Sequence, residues 1–259
     1  MAKNIWISDK VWSDYIDALR KVNNQAAEEM GRYLRMHEWF LTNETKQAAV
    51  DFAFGLSTKY GEAAAELACQ MYDAVMALST PKWMKPAEPA PTATYNEVSK
   101  AVIGTMKTNN PEIIADAVGR LVKMTGVDTT MQNALRDGAE WAWIPRGDTC
   151  AFCLTLASRG WQRASTKALK NGHAEHIHAN CDCTYAVRMN PNVDVEGYDP
   201  EEYLELYYGA GGNTPEERIN SLRRDFYQHN KDRINEQKRS AYARRKELNS
   251  SQAEEADIT

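Results

Sequence analysis

Trp141-Ala-Trp-Ile-Pro-Arg-Gly-Asp-Thr-Cys150-Ala-Phe-Cys153 opens the decisive stretch of the chain, and His178-Ala-Asn-Cys181-Asp-Cys183-Thr-Tyr-Ala-Val-Arg-Met189 closes it. Four of the five cysteines and three of the five histidines fall between Trp141 and Met189. Both ends alternate in polarity, Trp141 to Ile144 and Thr184 to Met189, which predicts two short strands that pair with the cysteine clusters at their ends. Two cysteines separated by two residues form a chelate bite, because one tight turn can aim both sulfurs at one point. His178-x-x-Cys181-x-Cys183 adds soft and borderline ligands from a single loop, a set that suits tetrahedral zinc.

Cys150, Cys153, His178, Cys181 and Cys183 are therefore the candidate metal ligands. Five candidates exceed four positions. Cys150, Cys153 and Cys181 are read as ligands, with His178 and Cys183 competing for the fourth place. A structural zinc, a catalytic metal, and disulfides or reduced packed thiols all stay open on the residues alone. His173-Ala-Glu175 invites comparison with zinc deaminases, but there the Cys-x-x-Cys follows the His-x-Glu, and here it comes first. Arg146-Gly-Asp148 matches an adhesion tripeptide, a three-residue match expected by chance, and reads as a turn. Cys69 lies on an apolar helical face and reads as core packing.

On the N-terminal side the pattern is helical. Ser8 can cap a helix with Trp12, Tyr15, Ile16, Leu19 and Val22 on one stripe, and a second helical stretch covers roughly Gln25 to Phe40. Asn43 restarts the pattern, and Tyr60, Ala64, Leu67, Met71, Val75 and Leu78 form the cleanest stripe before it stops at Ser79-Thr80-Pro81. Such stripes make a bundle or a docking surface. Between Thr80 and Thr94 four of the nine prolines fall in one short segment, which reads as a semi-rigid linker. Thr94-x-x-Glu97 is a capping box, Asn110-Pro111-Glu112 opens the next helix, and Gly126 is placed to end it before a short helix near Asp128 to Asp137.

On the C-terminal side the turn-rich Asn190 to Pro200 leads to a helix with Tyr203, Leu204, Leu206, Tyr207 and Tyr208. Thr214-Pro215 starts a last helix whose apolar positions fade after Tyr227. From Arg218 to Lys246 ten Lys/Arg face three acids, and the tail Ser250 to Thr259 reads as polar, acidic and disordered. That basic helix could hold nucleic-acid phosphates.

The net charge of −5 over 259 residues argues against whole-protein attraction to nucleic acid. Mean hydropathy is −0.61, no apolar run reaches membrane-spanning length, and the N-terminus lacks the apolar core of a signal peptide, so the chain reads as cytoplasmic and soluble. In a reducing compartment clustered cysteines are more often metal ligands than disulfides.

Asp148-Thr-Cys-Ala-Phe-Cys-Leu-Thr-Leu-Ala157, the aromatic Trp161 and His178-Ala-Asn-Cys-Asp-Cys183 resemble the core of the Mu F-like minor head proteins of tailed bacteriophages. The resemblance covers Trp141 to Met189, with Ala179 in place of the family's usual proline and Asp182 in place of its arginine. It implies a non-enzymatic head-morphogenesis protein, located in the capsid interior and in the host cytoplasm during assembly. The implied partners are the portal or the major capsid protein, docked through the N-terminal helices. DNA contact through the basic helix is a further expectation, and membrane contact is not expected. The alternative is a metal-dependent nuclease-like enzyme with His176 or Glu175 as base.

The expected fold is mostly α, with an N-terminal helical bundle, a small α+β metal knuckle and a long C-terminal helix. Its expected divisions are 1–79 (docking helices), 80–94 (linker), 95–198 (helices plus the Cys/His module) and 199–259 (basic arm with acidic tail).

Overall fold

The structure is a computed structural model that describes residues 5–37, 42–146, 150–165 and 183–256. It is mostly helical with a few short strands. In chain order the elements are β1 (Ile5–Ile7), α1 (Asp9–Met36), α2 (Asn43–Ser79), α3 (Tyr95–Met106), α4 (Pro111–Asp137), β2 (Glu140–Ile144), α5 (Ala151–Ala157), β3 (Gln162–Arg163), β4 (Thr184–Arg188), β5 (Val193–Val195), α6 (Pro200–Gly209) and α7 (Pro215–Ala256).

The caps read from sequence form as chemistry requires. The Ser8 hydroxyl accepts from the Val11 amide, Thr94 and Glu97 close a reciprocal capping box, and Asn110 accepts from Glu112 ahead of Pro111. Trp12, Tyr15, Ile16 and Leu19 are buried as one stripe. Two boundaries differ from expectation. Helix α1 continues through Gln25 to Met36, and α4 continues through Gly126 to Asp137.

Gly126 is not a terminator because its missing side chain serves packing. A Cβ there would stand 3.3 Å from the Ala64 carbonyl of α2, and a Cβ at Gly119 would stand 3.1 Å from the Asn23 carbonyl of α1. The helix ends instead at Gly138, whose φ of +68° is the left-handed conformation that glycine adopts without strain. Helix α4 thus lies at the centre of the bundle, packed by α1, α2 and α3, with β4 also against it.

The apolar stripes of α1 and α2 are consumed by this bundle, so the docking-surface alternative does not apply to them. Leu78 is the exception on its stripe, remaining half exposed. One apolar cluster runs from Ile7 to Tyr198 without a break at the proline-rich segment. The expected linker is therefore a strap. Its Ala87, Glu88 and Ala90 amides donate to Asp73 (2.8 Å), Asn133 (2.9 Å) and Thr129 (3.0 Å). Its carbonyls accept in turn from Gln132 and Asn133 at Glu88, and from Arg136 at Lys85 and Pro86. Proline leaves few amides to satisfy, and polar side chains of α2 and α4 satisfy these three.

The two alternating segments pair as expected, antiparallel, with Trp141 opposite Val187, Trp143 opposite Tyr185 and Ile144 opposite Thr184; β3 adds to the other edge of β2. A second sheet was not foreseen: β1 runs parallel to β5, with Ile5 opposite Val193 and Ile7 opposite Val195. Three-residue strands are too short to show a period. Helix α7 continues through the expected disordered tail as far as Ala256, where Gln252 to Ala256 are all good helix formers.

Asn133 is 1 % exposed and its side chain holds Glu88 from both sides. Asn133→Ala is expected to cost about 2 kcal/mol in denaturant unfolding and to open the strap to proteases, whereas the unaltered chain should resist cleavage between Lys85 and Ala93.

Candidate functional site

The ladder of β2 with β4 brings the end of β2 beside the start of β4, because Ile144 pairs with Thr184. Cys150 follows that end of β2 and Cys183 precedes β4 directly, so these two cysteines are anchored at the same end of the sheet. Cys150 is the N-cap of α5, and its sulfur accepts the Cys153 amide at 3.5 Å. Cys150 is partly exposed, while Cys153 and Cys183 are 2 % and 1 % exposed. The Cys183 thiol faces the Arg146 carbonyl at 4.0 Å. His178 and Cys181 lie outside the described residues, as do His173, Glu175, His176 and Asp148. Among the described residues no three His, Cys, Asp or Glu side chains gather as a metal-holding group.

The frame around the cysteines is aromatic and tightly held. Tyr185 stands edge-on to Trp141 and Trp143, each ring centre 4.7 Å away. Arg188 stacks over Trp161 at 4.2 Å and bonds Glu140 (2.9 Å) and Asp194 (2.7 Å), tying β2, β4 and β5 together. The Tyr198 hydroxyl donates to the Ala157 carbonyl at the end of α5. Arg146, from the adhesion-like tripeptide, bonds Ser13 and Asp9 and so pins the cysteine loop to the start of α1. Cys69 is buried on α2 as expected, its thiol pushed up to about 11 by burial and by Glu66 and Asp73, so it is an inert thiol.

The family comparison belongs with this geometry. A family model described as VG15 protein matches residues 6–210, from β1 through α6. The chain belongs to the VG15 protein family. The family is one of phage proteins. No curated protein and no solved structure matches the chain. The VG15 match spans the bundle, the strap and the cysteine module as a single unit, which agrees with their shared core.

Two charged residues of the VG15 bundle escaped the sequence reading. Lys123 is 6 % exposed and its ammonium has no hydrogen-bond partner among the described residues, beside a cavity of about 10 Å³ lined also by Asn23, Cys183 and Thr184. Asp128 is largely buried on the same helix, and desolvation together with Glu97 raises its carboxyl from the ordinary 3.8 to about 6. The available signal was a charge inside the largely apolar stretch Leu121 to Val127, at Lys123, and another directly after it, at Asp128. Neither residue matched a motif.

A raised carboxylate binds its proton more tightly in the fold than in the unfolded chain. Its contribution is present below the unfolded value and is lost as pH rises through about 6. Asp128→Asn should therefore stabilise the chain on the order of 2 kcal/mol above that pH and little near the unfolded value; denaturant midpoints at acidic and neutral pH check this. Lys123→Met should raise the neutral-pH midpoint by about 1–3 kcal/mol, since burying an unpartnered ammonium is costly. A fall instead would identify Lys123 as the neutralising partner of a group at the cysteine module.

Proposed function

We propose that this VG15-family chain is a non-enzymatic minor head protein of a tailed phage. It works inside the capsid at the portal or capsid wall, and in the host cytoplasm during assembly. The observation that carries the reading is the placement of Cys150 and Cys183 at one end of the β2–β4 ladder, in a chain whose family is one of phage proteins. Paired clusters in this order of the sequence resemble the Mu F-like pattern.

Cys150, Cys153 and Cys181, with His178 or Cys183 as the fourth ligand, would hold a structural zinc that closes the loop between α5 and β4. The sulfur of Cys150 already accepts a backbone amide, the kind of contact that favours a thiolate. When bound, the metal supplies folding free energy, since a preformed site is absent from the unfolded chain. The contact with the portal or capsid is assigned to the outer surface of the N-terminal bundle. With its stripes used internally, the apolar groups left for a partner include Leu78 at the end of α2 and Trp83 on the strap, 50 % and 84 % exposed.

Mass spectrometry of purified particles is expected to find the chain inside heads, and the recombinant chain should carry about one zinc, with thiolate bands on cobalt substitution. Cys150→Ser with Cys153→Ser should abolish those bands and destabilise the module. Trp83→Ala with Leu78→Ser should keep the fold and metal but reduce incorporation. Absence from particles would refute the head-protein reading, and a folded metal-free chain with disulfides would refute the zinc.

A further inference from the structure

Helices α6 and α7 diverge from α5 around a groove of about 640 Å³. Its floor is apolar, from Leu154 of α5, Leu206 of α6, and Leu222 and Phe226 of α7. The charged groups of its walls are the acids Glu202, Glu205 and Asp225, with His229 and Asn230 at the end where α7 leaves it. No residue of α6 is fully buried, and Leu204, Leu206 and Tyr208 are 39 %, 49 % and 58 % exposed. An apolar floor between acidic walls fits a helix with a narrow apolar line and basic flanks.

The chain itself carries such a helix. Beyond the groove α7 runs on from Lys231 to Ala256, about 40 Å at the helical rise. Tyr227, Ile234, Ala241 and Leu248 recur every seven residues, which sets them along one line of the helix. From residue 238 to 246 the sequence holds Lys238, Arg239, Arg244, Arg245 and Lys246 and no acid. This arm leaves the groove as the continuation of its own wall, so it cannot fold back into it without breaking the helix. A second copy can supply it.

We propose that α7 of one copy lies antiparallel in the acidic groove of another, and that the exchange is reciprocal. A pairing centred near residue 234 sets 222–230 of each copy beside 238–246 of the other, so basic arm meets acidic wall twice and the contact closes as a two-fold dimer. Arg223 and Arg224 fall off the groove face, which is built from positions 222, 225, 226, 229 and 230, so like charges are not forced together. DNA is the competing use of the arm's charge. The apolar line and the acids at the root of the arm favour a protein partner, since an acidic wall repels phosphate and an apolar line offers it nothing.

The test is the molar mass of the full chain by light scattering and sedimentation, alongside a chain ending at Asn230 and the Glu202→Lys, Glu205→Lys variant. The full chain is expected to dimerise, more weakly as salt rises, while the shortened chain is monomeric with the bundle's unfolding transition retained. The charge-reversed groove should weaken dimerisation at least about tenfold, and adding Lys238→Glu and Arg239→Glu should restore it. A monomeric full chain, a dimer that survives loss of the arm, or an arm whose removal costs only salt-sensitive binding to duplex DNA would each overturn the proposal.

Discussion

Everything in this molecule hangs on how closely α4 approaches the two helices before it. Gly119 lets the backbone of α1 come within contact of α4 at Asn23, and Gly126 does the same for α2 at Ala64. A side chain at either point would meet a carbonyl oxygen, which cannot give way as a flexible side chain can, and the helices would have to separate. Their separation would loosen the apolar cluster from Trp12 to Val122 that the three helices share. The same approach leaves α4 with no apolar face to spare, so its outer side carries Thr129, Asn133 and Arg136, which hold the proline-rich strap. Close packing on one side of a helix and polar stapling on the other make a single unit of the residues before and after the strap.

The cysteine module is positioned by that unit. Helix α4 ends at Gly138 and delivers β2 directly, β2 orders β4, and the shared end of the two strands anchors the loops bearing Cys150 and Cys183. Arg188 and Arg146 then tie the module to β5 and to α1, far apart in sequence. Cys150 and Cys183 thereby sit on a frame tied to the bundle, and α7, whose far half is the basic arm, packs against α5. Lys123 and Asp128 place two poorly solvated charges beneath this frame, so its stability responds to pH and to the charge of its neighbours.

By itself the sequence determined the helical class, the caps at Ser8, Thr94 and Asn110, the pairing of Trp141–Ile144 with Thr184–Arg188, and the grouping of the cysteines. These rest on local chemistry: a hydroxyl or amide beside an orphan backbone donor, a period of two or of 3.6, a fixed spacing of thiols. The tertiary structure alone decided that Gly126 is a crossing point and not a stop, because its role is set by Ala64, distant in sequence. It decided that a run of prolines is a strap, because the donors and acceptors that hold it come from α2 and α4. It decided that the stripes of α1 and α2 face each other and α4, since an amphipathic face shows that it will be covered but not by what.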